Sequence, residues 1–154
     1  MSDWKRTTKE ILFESLLPEM SSAIKQHIDQ YNLGPILDNA LMCIQTDSEK
    51  VKKGLFGKAE TVQMGVVVTL RWLIWAISGN KTPTTVLSAQ LSNVTVQDYA
   101  QTSFAKMVPD SGIEVSGMFT DGSESASAFI GLEENAAGNK FKELVIQGAQ
   151  DAKK

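Results

Sequence analysis

Histidine and cysteine are almost missing from this chain of 154 residues, which carries one of each, His27 and Cys43. A single cysteine excludes an internal disulfide. It also leaves no Cys/His set of the three or four ligands that a zinc-type centre requires, so neither a metal nor a cofactor is expected. Long apolar runs are missing too. The most apolar stretch, 65–77, is interrupted by Thr69 and Arg71 and falls short of the ~20 residues of a membrane-spanning helix. The opening Met1-Ser2-Asp3-Trp4-Lys5-Arg6 lacks the apolar core of a signal peptide. These absences predict a cytoplasmic chain without a transmembrane segment, in a reducing setting that suits one free thiol. The sequons at Asn80 and Asn93 carry no meaning there. An excess of one charge is likewise absent. The formal net charge is −3, too near neutral for nucleic acid to be the partner, because phosphate binding needs a concentrated basic surface.

What is present fits one globular domain: 42% hydrophobic and 21% charged residues are ordinary values, and the length suffices for one core. Acidic groups concentrate in residues 91–134, where seven stand against one basic group. No Gly-x-Gly-x-x-Gly, Gly-x-Ser-x-Gly or calcium-loop pattern occurs. Gly54-Leu55-Phe56-Gly57-Lys58-Ala59 is not a phosphate loop, because its glycines are too close and Ala59 has no hydroxyl for Mg²⁺. Acidic pairs such as Asp121 with Glu124 and Glu133 with Glu134 fall at turns or a helix start, where solvated capping accounts for them.

Thr7 and Glu10 have the spacing of a capping box and predict a short helix running to about Leu17. Pro18 then opens a second helix, with Met20, Ala23, Ile24, His27, Ile28 and Tyr31 on one stripe. Asn32, Gly34 and Pro35 end it. From Ala40 the apolar period changes to two and predicts seven strands over 40–45, 61–69, 71–77, 85–91, 94–99, 113–119 and 125–132. Each has one buried face, and tight turns between them make the sheet antiparallel. A final helix carries Ala137, Phe141, Leu144, Val145 and Ala149 on its apolar stripe. On this reading His27 is a packed helix residue and Cys43 a small buried hydrophobe, neither with a catalytic partner. The expectation is a chain that binds and does not catalyse.

Seven antiparallel strands followed by one amphipathic helix resembles the pleckstrin-homology (PH) fold. The stretch Val66-Val67-Val68-Thr69-Leu70-Arg71-Trp72-Leu73-Ile74 resembles the second-to-third-strand hairpin of bacterial PH-like and GRAM-like domains, with Trp72 standing where that family carries arginine. Leu91-Ser92-Asn93-Val94-Thr95-Val96 resembles the strand segment that follows. The resemblance spans residues 40–154. It implies an α+β, mainly β fold: a bent antiparallel barrel capped by the C-terminal helix, with residues 1–35 as a helical extension ahead of a PH-like domain over 36–154. A curved sheet wrapped on N-terminal helices, a cone-shaped α+β fold with a pocket for a small-molecule ligand or an enzyme site, is the alternative architecture.

In eukaryotic PH domains the first hairpin loop commonly binds inositol phosphates. Here that loop carries Lys50, Lys52, Lys53 and Lys58, with Leu55 and Phe56 at its tip and Arg71 as a further candidate cation. At ~1 kcal/mol per lysine near an anionic surface, four lysines supply ~4 kcal/mol, roughly millimolar affinity for anionic lipid. Protein contact or self-association is the favoured mode. Met20, Ile24 and Ile28 would forgo ~1.5 to 3 kcal/mol each if left exposed, so they need a surface on this chain or on another copy. Trp72 and Trp75 are three apart on one strand and point to opposite faces: one is expected in the core, and the other is either covered by the N-terminal helices or offered to a partner.

Overall fold

The structure, a computed structural model, describes residues 3–50 and 60–154. Among the described residues, eight strands form two antiparallel sheets. The first has β1 (Trp4–Glu10), β2 (Ala40–Lys50), β3 (Glu60–Thr69), β4 (Trp72–Gly79) and β5 (Thr85–Gln90) in sequence order. The second has β6 (Val94–Asp98), β7 (Gly112–Gly117) and β8 (Ala126–Gly131). Helix α1 (Pro18–Gln30) lies between β1 and β2, and α2 (Ala136–Asp151) ends the chain. All seven expected strands are present and antiparallel. The architecture is thus α+β and mainly β, but the sheets do not close into a barrel. No helix among the described residues is long and apolar enough to cross a membrane.

The N-terminus corrects the sequence reading. The segment expected as a capped helix is β1, an edge strand paired with β2 from Trp4 opposite Lys50 to Glu10 opposite Ile44. Its period of two is carried by half-buried Trp4 and Arg6 and buried Thr8, alternating with exposed Lys5, Thr7 and Lys9. Its inner face is therefore largely polar, and a hydrophobicity pattern does not reveal it. In place of the capping box expected of Thr7 and Glu10, the neighbouring Thr8 makes hydrogen bonds to distant residues. Its N–H donates to the Glu133 carboxylate at 3.0 Å, its hydroxyl accepts from Glu133 N–H at 2.8 Å and lies 2.8 Å from Thr46 Oγ1, and its carbonyl accepts from Asn135 Nδ2 at 2.9 Å. Asn135 in turn caps α2 by accepting from Gly138 N–H at 2.8 Å. The edge strand and the start of the last helix are thereby tied together.

Pro18 does stand at the first turn of α1, where its missing N–H costs nothing. Met20, Ile24, His27 and Ile28 are buried along it. The helix lies on the outer face of the first sheet, and Leu16, Met20, Ile24 and Ile28 pack with Cys43, Val67, Ile74 and Ala76. Gly65 allows the close approach, since a Cβ there would lie 3.0 Å from Leu16 Cδ2. The opposite face contributes Ile44, Val66, Val68, Leu73 and Trp75 to a second core, closed by Ile113, Val115 and Ile130 and by Phe141, Val145 and Ala149 of α2. The expectation of one buried face per strand therefore fails for β3 and β4, which are covered on both sides. That is why Val66-Val67-Val68 is apolar without a break.

Arg6 joins the two sheets. Its Nε and Nη2 donate to the two carboxylate oxygens of Asp110 at 2.9 and 2.6 Å, and Nη1 donates to Ser48 Oγ at 2.7 Å. The guanidinium carbon lies 5.3 Å from the ring centroids of both Trp4 and Phe129. Both charged side chains are only 10% exposed, so removing either partner strands a desolvated charge at a cost of ~3 to 5 kcal/mol. Gly131 makes room, because a Cβ there would lie 2.4 Å from Nη1. Arg6→Ala is accordingly expected to lower the urea-unfolding free energy by ~3 to 5 kcal/mol, and the Arg6→Ala/Asp110→Ala double variant to lose less than the sum of the singles. A loss below ~1 kcal/mol, or strict additivity, would show that the pair does not hold the sheets together.

Candidate functional site

The turn between β3 and β4 is fixed from both sides. Buried Thr69 accepts through Oγ1 from the N–H groups of Arg71 and Trp72 at 3.2 and 2.9 Å, and the Arg71 carbonyl accepts from Leu91 N–H at 2.8 Å. Leu70 is presented at the tip, 73% exposed. Opposite it, the β2–β3 register shifts between Ala40 and Met42, a bulge that takes Leu41 out of the ladder and leaves it 48% exposed. Ile36, Asn39 and Leu41 on one wall and Leu70, Arg71 and Trp72 on the other enclose a cleft of about 690 Å³. A second cleft of about 470 Å³ lies on the other side of Arg71, toward Gln90, Ser92 and Asp151. Arg71 is exposed and is the one charged residue among those described as lining the larger cleft.

No family model, curated protein or solved structure matches this chain.

Of the residues singled out from the sequence, the structure brings Arg71 and Trp72 together at this cleft. Trp72 is half-buried and Trp75 fully buried, which decides between the two tryptophans. Trp75 packs edge-to-face on Phe119 with centroids 5.5 Å apart and is core, not interface. Met20, Ile24 and Ile28 are also corrected as interaction residues: the chain's own sheet covers them, so they offer no area to a second copy. Lys50 closes β2 with its ammonium 5.9 Å from the Trp4 ring centroid. Lys52, Lys53 and Lys58, with Leu55 and Phe56, lie outside the described residues. The sequence reading missed Ile36, Asn39, Leu41 and Leu70. A leucine at the tip of a two-residue turn is the signal that was there to be read for Leu70, whereas the bulge at Leu41 depends on strand pairing.

Among the described residues no cluster of three or more His, Cys, Asp or Glu side chains could hold a metal ion. His27 does meet a hydroxyl, with Nε2 2.7 Å from Ser88 Oγ, and the proton positions decide what this pair can do. Ser88 Oγ donates to Thr120 Oγ1 at 2.6 Å, and Thr120 Oγ1 donates to the Ser88 carbonyl at 3.0 Å. With the single Ser88 proton given to Thr120, Ser88 Oγ is left to accept from the His27 tautomer that is protonated at Nε2. An imidazole that donates to the serine cannot act as its base, and Ser88 is only 1% exposed. The chain of bonds instead ties α1 to β5 and to the β7–β8 turn. Cys43 is equally inert, since burial and then the Glu14 carboxylate push its thiol up to about 12, which removes the reactive thiolate.

Burial holds the His27 imidazole below its ordinary value, against a smaller opposing pull from Asp121. Because the folded value is the lower one, the unfolded chain takes up the proton first as pH falls. The stability that neutral His27 contributes is complete above about pH 6.5 and is lost progressively as pH falls toward and through the folded value. Urea midpoints measured from about pH 8 to about pH 5 should therefore fall, and His27→Gln should flatten that dependence. An unchanged slope in the variant would assign the acid sensitivity to other groups.

Proposed function

We propose that this chain is a non-catalytic cytoplasmic binding module with a PH-like core, acting through protein contacts at the Leu41–Leu70–Trp72 cleft. The order β2-β3-β4-β5 in one sheet and β6-β7-β8 in the other, followed by α2, supports the PH-like reading, with β1 and α1 as additions to it. The observation that carries the binding role is an apolar concavity held open by a hydrogen-bonded turn, with two leucines exposed on its rim. Exposed apolar side chains that line a concave, pre-formed site mark contact surfaces more often than scattered ones do. The committed proton at Ser88 and the high thiol of Cys43 support the absence of catalysis. Self-association through α1 loses its support, because that stripe is satisfied within the protomer.

Panning a random peptide library displayed on phage against the immobilised full chain tests the reading. Enriched peptides are expected to lose binding to Leu70→Asp and Leu41→Asp, both at exposed positions where stability should change by no more than ~0.5 kcal/mol. A library that yields no enrichment, or peptides indifferent to both changes, would count against the cleft as a contact surface.

A further inference from the structure

Resting on the protein-contact reading of this cleft, we infer that its partner is an acidic–apolar peptide segment: a large apolar side chain enters between Leu41, Leu70 and Trp72 while a neighbouring carboxylate of the same segment pairs with Arg71. The warrant is an uncommitted cation beside an apolar wall. The Arg71 backbone is held through both its N–H and its carbonyl, yet its guanidinium makes no ion pair or hydrogen bond among the described residues. Asp151, which lines the second cleft with Arg71, is engaged elsewhere: it accepts from Gln147 Nε2 at 2.8 Å and lies 3.6 Å from Lys154 Nζ. Asp38 belongs to the short turn that supplies Ile36 and Asn39 but does not line the cleft.

A planar guanidinium presents its N–H groups in a fork that matches two parallel hydrogen bonds to a carboxylate. The neighbouring leucines and indole lower the local dielectric when a ligand covers them, which strengthens that pair relative to one in open water. The two halves of the recognition thus depend on each other. An apolar segment without the acid leaves Arg71 desolvated and unpaired, and an acidic segment without the apolar residue leaves the pair exposed and weak.

The test uses fluorescence anisotropy of dye-labelled synthetic peptides taken from the panning, each alongside an analogue with Asp or Glu changed to Asn or Gln. On the full chain the amide analogue should bind about tenfold more weakly. Arg71→Gln should abolish that difference while keeping the Leu70→Asp sensitivity, and Arg71→Glu should invert the preference toward a Lys-containing analogue. Peptides that bind the cleft without any preference for the carboxylate, or a preference that survives Arg71→Gln, would overturn the acidic partner and leave the contact reading standing. Absence of any cleft-dependent peptide would overturn both.

Discussion

The guanidinium of Arg6 is surrounded by both sheets: Ser48 on β2, Phe129 and Gly131 on β8, and Asp110 on the segment that enters β7. A buried charge tolerates no loss of its partner, so this one contact constrains three stretches of chain at once. It places β1 at the edge of the first sheet and fixes how the second sheet meets it. Two residues further on, Thr8 passes the constraint to Glu133 and Asn135, and so to the first turn of α2. The C-terminal helix then delivers Phe141, Val145 and Ala149 to the inner core.

The first sheet behaves as a middle layer. With α1 on its outer face and the second sheet and α2 on its inner face, β3 and β4 lose contact with water along most of their length. Where the two strands turn, Leu70 and Arg71 are exposed and Trp72 is half-buried. The proposed contact surface is thus a consequence of the layering. Threonine at position 69 closes the turn with its own hydroxyl, and the bulge at Leu41 turns a residue that would otherwise continue the ladder into the opposite wall. Rigid elements behind the cleft and exposed side chains in front of it are what a recognition surface requires.

Much of the fold was legible because its signals are local. The period-two runs from Ala40 onward, the Pro18 start and the stripe of the last helix each predict their own element from neighbouring side chains. The strand at Trp4–Glu10 was not legible, because its inward residues are tryptophan, arginine and threonine, whose burial is stabilised by Asp110, Thr46 and Glu133, up to 125 positions away. A capping-box spacing at Thr7 and Glu10 is a local signal too, and here distant hydrogen bonds override it. For the candidate site, Arg71 and Trp72 stood out from the sequence, whereas Leu41 and Ile36 became partners only through the pairing of β2 with β3.

By itself the sequence determined the class of the protein: the succession of strands from Ala40 onward, the two long helices, and the lone thiol and histidine. Each of these follows from composition or from the few residues on either side. Which face of a strand is covered, whether α1 packs on its own sheet, which tryptophan is core, and that His27 meets Ser88 were decided only by the tertiary structure. These depend on contacts between residues far apart in the chain, which side-chain periodicity does not report.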